Sequence, residues 1–279
     1  MIVRAPAKIN LFLHVTAVRD DGMHELDTAF AYVDVWDELH IRPSHRLRVG
    51  CSRPELAGEN NLVYRVLRAF GDWVGCEPAM DVYIEKHLPL EAGLGGGSSD
   101  AASALLAACR WMQMDIPRDA LARFAAPFGA DIPCFLFGRA SRAQGIGDML
   151  RPYADPLPAG CVLLAWPGAG ASTPQVFHAF DALTGSRAGD TMRPVSRRLG
   201  DNDLETSAVA VCPGIGRLLQ RLRESARIAW MSGSGSTCVA LFDDQKRARE
   251  VAKALSDDGL CGWSHVGSLL DRHPETIGA

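Results

Sequence analysis

The sequence predicts an α+β fold of two domains, and three observations support that prediction. Strand-like alternation fills most of the first 51 residues, and helical segments follow it instead of alternating with strands as in a βαβ winding. The length of 279 residues suits two domains at the usual ~150 residues each. Three prolines within 152–158 mark the best candidate hinge, so we expect domains over 1–153 and 154–279.

The elements of the first half follow from alternation and capping signals. Alternating apolar residues predict strands over 7–15, 28–35, 38–42, 47–51 and 81–86. Asn60 or Asn61 can cap a helix that runs to about Trp73. Ser98 or Ser99 can cap a second helix over 101–112, and a third is expected over 118–128.

The second half is predicted to contain fewer strands. A buried strand is expected over 161–165, and a helical stretch over 202–225 is broken at the Pro-Gly pair 213–214. Residues 229–242 predict two strands around a glycine turn. An amphipathic helix over 245–256 and a last strand over 263–269 complete the chain.

Composition narrows the function classes. Apolar residues make up 47% and charged residues 22% of the chain, and the net charge of −4 gives no basic field for nucleic acid. The first residues resemble no signal peptide, and no window reaches ~18 uninterrupted apolar residues, so we expect a cytoplasmic protein without a membrane partner. The eight cysteines stand singly and the histidines form no ligand cluster, so no structural metal site is predicted.

The most informative stretch is residues 89–102, PLEAGLGGGSSDAA, where four glycines and two serines separate a strand from a helix. Glycines let the backbone turn tightly and approach an anion, and the next helix directs unpaired N–H groups at the same place. A flexible turn is the alternative, but the flanking elements favour a phosphate-binding loop. No lysine follows Gly97 as a Walker A loop requires, and Ser98 stands where a Rossmann fingerprint needs its third glycine.

Three ordered segments carry a resemblance to a known family. Residues 5–13 (APAKINLFL), the glycine loop and residues 231–237 (MSGSGST) resemble the three motifs of the GHMP kinases, named for galactokinase, homoserine kinase, mevalonate kinase and phosphomevalonate kinase. The resemblance implies a two-domain GHMP kinase fold with the active site in the cleft between the domains. Residues 21–26 (DGMHEL), 129–133 (GADIP) and 173–177 (TPQVF) narrow it to a subfamily whose alcohol substrate carries a cytidine diphosphate group.

This resemblance implies that ATP binds at the glycine loop, with Mg²⁺ bridging its phosphate oxygens. The residues that it assigns to ATP are Pro89, Leu90, Glu91, Ala92, Gly93, Leu94, Gly95, Gly96, Gly97, Ser98, Ser99, Asn61 and Lys86. Either Ser98 or Ser99 would add a hydroxyl contact to metal or phosphate. Surface roles are the alternative for Asn61 and Lys86.

The resemblance assigns the catalytic roles to Lys8 and Asp131. Asp131 would be the general base, presented from an apolar wall where Pro133 fixes the chain. Lys8 would be its cationic partner, since a nearby opposite charge favours the ionised carboxylate. Without the resemblance, a strand lysine is more often solvated, and an Asp before Ile-Pro is more often a helix N-cap.

The same resemblance assigns the substrate to Asn10, Met23, His24, Thr173 and Phe177. Asn10 follows Lys8 by two residues and so faces the same side of a strand. His24 would read the cytosine edge, and Phe177 would stack on the base, with a place in the core as its alternative. Residue 23 is commonly aromatic in that subfamily, so Met23 weakens the second stacking face.

Three functions stay open at this point. The first is a kinase for a small-molecule cytidine diphosphate substrate, acting as a monomer or weak homodimer. The second is a GHMP kinase for another small alcohol, such as homoserine or mevalonate, and His24 and Phe177 facing the cleft would argue against it. The third is a non-catalytic binding module, because one fold serves many functions.

Overall fold

A long antiparallel hairpin opens the computed structural model, which describes residues 1–192 and 197–274. The hairpin consists of β1 (Ile2–Val18) and β2 (His24–Pro43), paired from Ile2 opposite His40 to Val18 opposite His24. Residues 193–196 and 275–279 of the second predicted domain lie outside the described residues.

β2 organises the first sheet. Its edge opposite β1 pairs with β4 (Met80–Glu85) and, further along, with β5 (Ser141–Gln144). β3 (Arg48–Cys51) extends the sheet beyond β4 in parallel, and β6 (Met149–Pro152) extends it beyond β5. The helices of this half are α1 (Leu62–Val74), α2 (Gly96–Trp111), α3 (Arg118–Ala125) and α4 (Ile132–Phe137), with short 3₁₀ turns at Pro54–Leu56 and Ala126–Phe128.

A second, four-stranded antiparallel sheet forms the other half. Its strands are β7 (Cys161–Trp166), β8 (Ile228–Met231), β9 (Cys238–Phe242) and β10 (Trp263–Gly267), in the order β10-β7-β9-β8. The helices are α5 (Thr173–Thr184), α6 (Glu205–Val211), α7 (Pro213–Arg223) and α8 (Gln245–Asp257). A last short strand, β11 (Leu269–Leu270), returns to β2 of the first sheet.

The two sheets share an apolar cluster. Ile9 and Leu11 of β1 pack there with Val162 and Leu164 of β7 and with Trp230 of β8, all buried. Residues further along the hairpin continue into the core of the second half. The hairpin therefore belongs to the first sheet and packs against the second, and this fixes the position of the side chains that it carries between them.

The α+β architecture is confirmed, and most predicted elements are present with shifted ends. The two strands expected over 28–42 are one continuous strand. The pairing register shifts between Pro6 and Ala7, and the extra residues that this leaves in β2 interrupt the alternation from which two strands were predicted. α4, α5, β5 and β6 were not predicted. The domain boundary at 153/154 stays a prediction. Within the described ranges, no helix is both long and apolar enough to cross a bilayer.

Candidate active site

The first component of the site is a buried polar pair on β1. Alternation along the strand places Lys8 and Asn10 on the same face, and Lys8 Nζ donates a hydrogen bond to Asn10 Oδ1 at 2.9 Å. Asn10 Nδ2 in turn donates to Thr28 Oγ1 on β2 at 2.8 Å. Both Lys8 and Asn10 are almost completely buried. The lysine is thus held in one orientation and is not the solvated strand residue of the alternative hypothesis.

Asp131 meets this lysine from the start of α4. Its Oδ2 lies 3.6 Å from Lys8 Nζ, and its side chain is 38% exposed while that of Lys8 is 5% exposed. Asp131 occupies the N-cap position of α4, as the alternative reading predicted, yet its side chain accepts no capping hydrogen bond. The carboxylate is therefore oriented toward the lysine and solvent instead of toward the helix end.

The glycine loop packs tightly against the third motif. Gly93 and Gly95 have φ values of +75° and +70°, a region that side chains rarely adopt. A Cβ on Gly93 would lie 2.6 Å from the carbonyl oxygen of Gly235, and one on Gly95 would lie 2.9 Å from the ring of Phe135. The backbone N–H of Lys8 donates to Leu94 O at 3.0 Å. Glycine is required at both positions, and the three motifs meet at this loop.

α2 begins earlier than the sequence predicted. Gly95 is its N-cap, and the N–H of Ser99 makes a helical bond to Gly95 O at 2.8 Å. The expected capping role of Ser98 or Ser99 is therefore wrong. In a helix with this start, the N–H groups of residues 96–98 have no partner within the helix and point beyond its end.

Space for an anion exists at Gly97 and not at Gly96. Apart from its chain neighbours and the backbone of its own helix, no described residue has an atom within 4 Å of a Cβ placed on Gly97. A Cβ on Gly96 would lie 3.3 Å from Lys86 Nζ and 3.4 Å from Asp37 Oδ2. Gly97 thus lies on the open side of the helix start. Gly96 lies on the opposite, closed side, where it packs against a charged cluster. Ser99 is completely buried and its hydroxyl lacks a hydrogen-bond partner among the described residues.

That cluster consists of Lys86, Asp37 and Asp100. Lys86 Nζ donates to Asp100 Oδ2 at 2.8 Å and makes a very short contact to Asp37 Oδ2. The three side chains are at most 4% exposed, so a surface role for Lys86 is wrong. Asp37 Oδ1 also accepts from the backbone N–H groups of His87 and Leu88, at 2.6 and 2.8 Å.

Asn61 has a structural role of its own. Its side chain caps α1 by accepting from the N–H of Val63 at 2.8 Å, and it donates to Leu56 O at 2.6 Å. The predicted cap is therefore confirmed. The side-chain amide of Asn61 and the ammonium group of Lys86 both have hydrogen-bond partners within the protein. The ATP contacts expected of these two residues stay predictions.

One cavity of about 620 Å³ brings the remaining predicted residues together. Nine of them line it: Lys8, Asn10, Met23, His24, Gly93, Ser98, Asp131, Thr173 and Phe177. The others assigned to ATP, at 61, 86, 89–92, 94–97 and 99, do not. The hairpin, the glycine loop, α4 and α5 each contribute to the lining.

Aromatic and polar groups from α5 form a second part of this cavity. Phe177 packs on the ring of His24, with centroids 4.6 Å apart and planes tilted by 33°. His24 Nε2 is 2.7 Å from Asp181 Oδ1. Met23 is 48% exposed. Thr173 Oγ1 and Ser234 Oγ, of the third motif, lie 2.8 Å apart.

Sequence reasoning missed Asp181, Asp37 and Asp100 as members of these arrangements. Asp181 follows Phe177 by four residues, so helical spacing would have placed both on one face had α5 been recognised. For Asp37 no comparable signal exists, because its hydrogen-bond partners lie in residues 86–88, after β4 and about 50 residues away in sequence. Glu38, His40 and Glu85 also gather three potential ligand atoms within 4.8 Å, but none of them lines the cavity.

Comparison with known proteins identifies the class. The family model for the GHMP kinases N terminal domain matches residues 61–139, and the model for the GHMP kinases C terminal region matches residues 180–259. The chain belongs to the GHMP kinase family.

Relatives within this family are more specific. The chain is 38% identical over 273 residues to a 4-diphosphocytidyl-2-C-methyl-D-erythritol kinase of Cereibacter sphaeroides, covering 93% of this chain and 95% of that one. The kinase of that name from Thiobacillus denitrificans is 38% identical over 272 residues, with 97% and 95% covered.

Solved structures agree with this assignment. A crystal structure of 4-(cytidine 5'-diphospho)-2C-methyl-D-erythritol kinase is similar with a TM-score of 0.80 and 34% identity, covering 96% of this chain and 99% of that one. The mevalonate kinase of Methanococcus jannaschii has a TM-score of 0.68 at 12% identity, with 98% of each chain covered, and shows the shared fold alone.

The buried cluster leads to a prediction about stability and pH. One lysine neutralises only one of two carboxylates, and burial raises the pKa of Asp100 to about 7, with Asp37 adding to the rise and Lys86 opposing it. The native state then holds a proton that the unfolded state releases near pH 3.8. The stability of the native state therefore falls as pH rises from about 4 to 7.

Replacement of the ionisable group removes this loss. We expect the unfolding free energy of Asp100→Asn minus that of the parent to increase, in the sense of greater relative stability of the variant, as pH rises from 4 to 7 and to level off above 7. Urea unfolding at a series of pH values measures the difference. A difference that is constant across this range would contradict the raised pKa.

Proposed function

We propose that this protein transfers the γ-phosphoryl group of ATP to the 2-hydroxyl of 4-diphosphocytidyl-2-C-methyl-D-erythritol. The observation that carries the proposal is one cavity lined by both the Lys8–Asp131 pair and the His24–Phe177 pair. The first pair suits phosphoryl transfer, and the second suits a flat base. The names of the relatives at 38% identity support the same substrate.

Asp131 is the group that accepts the proton. As the substrate hydroxyl attacks the γ-phosphorus, its O–H bond breaks, an O–P bond forms and ADP leaves with the electron pair of the old O–P bond. The carboxylate of Asp131 is exposed enough to meet the hydroxyl. Lys8, held by Asn10 at 2.9 Å, has its Nζ positioned beside the reacting groups without having to reorganise.

The start of α2 holds the phosphates. Its N–H groups at residues 96–98 and the positive end of the helix dipole attract an anion, and Gly97 lets it approach the backbone. Ser98 lines the same cavity and offers a hydroxyl oxygen, and Mg²⁺ prefers oxygen donors. Ser98 would contact Mg²⁺, which when bound neutralises charge on the phosphate oxygens.

His24 and Phe177 distinguish this reaction from that of another GHMP kinase. A homoserine or mevalonate substrate has no aromatic ring to stack, whereas cytosine offers both a π-face and a polar edge. Phe177 is partly buried against the core of the second half, so its alternative role and its cavity role coexist. Met23, at 48% exposure, is a flexible second wall.

A substrate panel tests the function directly. ATP turnover is measured with 4-diphosphocytidyl-2-C-methyl-D-erythritol, homoserine and mevalonate, each at equal concentration. We expect turnover with the cytidine compound alone, because only that compound has a base for His24 and Phe177. Turnover with homoserine or mevalonate and none with the cytidine compound would overturn the proposal, and no turnover with any would favour a binding module.

Removal of the proton acceptor has a specific signature. Asp131→Asn keeps the size of the side chain and should reduce turnover about 10²- to 10⁴-fold, the usual effect of losing a general base. ATP affinity, measured by titration calorimetry, should stay near that of the parent. Asp257→Asn, an exposed carboxylate on α8, is the matched control. Parent-like turnover in the Asp131 variant would show that this residue is not the base.

The phosphate site is tested at Gly97. Gly97→Val places a branched side chain in the space that the anion needs, and we expect ATP affinity to fall about ten- to a hundredfold, as for the loss of a hydrogen bond to a charged group. Gln245→Val, in the exposed first turn of α8, controls for a β-branched residue at a helix start.

Gly96→Val gives a useful comparison. Its side chain would press on Lys86 and Asp37, so we expect a lower unfolding temperature that the Gly97 variant does not show. If calorimetry finds ATP binding unchanged in the Gly97 variant, the phosphate site lies elsewhere.

A further inference from the structure

The ring of His24 lies in a slot made by one face of α5. Phe177, Phe180 and Asp181 are spaced i, i+3 and i+4, so their side chains project from the same side of the helix. Phe177 packs on the imidazole at 4.6 Å between centroids, and Phe180 meets it edge-on at 6.1 Å with an angle of 80°. Asp181 completes the slot with Oδ1 2.7 Å from Nε2.

This contact determines which nitrogen of the neutral ring carries the proton. A carboxylate only accepts hydrogen bonds, so Nε2 must be the donor toward Asp181. Neutral imidazole has one N–H, so Nδ1 is then an acceptor. Nδ1 makes no hydrogen bond to any described residue, and His24 lines the cavity.

Phe177 packs on the imidazole and Phe180 meets it edge-on, and these contacts restrict rotation of the ring. A flip of the imidazole would also place the carbon Cε1 against the carboxylate of Asp181. Because His24 is 9% exposed, water is poorly placed to replace the lost bond. The orientation of the ring is thus fixed before a ligand enters.

We propose that Asp181 is a positioning residue that holds His24 as the Nε2–H tautomer, so that Nδ1 accepts a hydrogen bond from the amino group of the substrate's base. The inference rests on the proposed function, since it concerns the same cavity. An acceptor at this place selects an aminopyrimidine, as in cytidine, over a base with a carbonyl oxygen there, as in uridine, because two facing acceptors repel each other. Asp181 acts through His24 and does not itself touch the base.

Two variants separate positioning from simple stability. In Asp181→Asn the amide oxygen can still accept from Nε2–H, so a partner for this tautomer remains, whereas Asp181→Ala leaves no partner for Nε2 on that residue. We expect Asp181→Ala to raise KM for the cytidine substrate about tenfold, with kcat and KM for ATP unchanged, and to reduce the preference over the uridine analogue. Asp181→Asn should remain within about threefold of the parent.

A spectroscopic readout tests the tautomer without any substrate. Long-range ¹H–¹⁵N spectra of protein labelled at histidine, with the His24 signals assigned by their loss in His24→Gln, should show protonated Nε2 and unprotonated Nδ1 in the parent and in Asp181→Asn. A mixture of tautomers is expected in Asp181→Ala. Asp257→Ala, which removes an exposed carboxylate paired with Lys253, should match the parent in every measurement.

The outcomes distinguish the two proposals. A parent that does not phosphorylate the cytidine compound overturns the proposed function, whereas a parent that does so, with Asp181→Ala unchanged in KM and in the His24 spectrum, overturns the role of Asp181 alone. A lower kcat together with higher KM values for both substrates in Asp181→Ala, with the tautomer retained, would also overturn it. The expected split between KM and kcat, rescue by Asn and the change in the spectrum together support it.

Discussion

The arrangement of the site depends on the complete pairing of Asn10. This residue is buried, so each of its polar groups must find a partner inside the protein. Its backbone N–H donates to Ser232 at 3.1 Å, its carbonyl accepts from the indole of Trp230 at 2.8 Å, and its side chain joins Lys8 to Thr28. These four partners come from both halves of the chain.

A consequence of that pairing is that the orientation of Lys8 depends on contacts that also hold the two halves together. Trp230 belongs to the second sheet and is 1% exposed, so its hydrogen bond to Asn10 fixes the first strand against that sheet. Any relative movement of the two halves would leave a buried carbonyl or amide unpaired, which costs about 1–3 kcal/mol for each group. The position of Lys8 is thereby set by the packing of the whole molecule and not by its local strand.

The two buried lysines differ in the number of carboxylates that they contact. Lys8 faces one carboxylate, that of Asp131, which remains partly exposed and 3.6 Å away. Lys86 is enclosed by two carboxylates with almost no exposure, and the two carboxylates raise its pKa although burial, the largest single influence, lowers it. The first lysine keeps its partner accessible to a substrate, whereas the second is an element of the floor beneath the glycine loop.

Much of the fold and of the candidate site could be predicted from the sequence, and the predictions that were wrong or missing have physical causes. The family resemblance placed Lys8, Asp131, His24 and Phe177 in one site, and one cavity does contain them. The start of α2 was missed because its first residues are glycines, which have low helix propensity. A local sequence pattern does not distinguish such a helix start from a loop.

Other failures arose from contacts between distant parts of the chain. The continuity of β2 was hidden by a bulge that only pairing with β1 reveals. The partners of Asp37 and Asp181 are far apart in sequence, 49 and 157 residues away, and no local period encodes such contacts.

The return of β11 to the first sheet affects how the protein folds during synthesis. Leu269 and Leu270 pair with Val33 and Tyr32, and the N–H of Ala140 then donates to Asp271 O at 2.7 Å. A ribosome at ~5–20 residues per second makes the 235 residues between Val33 and Leu269 in tens of seconds, much longer than a hairpin needs to form. During that interval Tyr32 and Val33 lack their β11 partners, and such an unpaired strand edge can pair with another chain until β11 emerges.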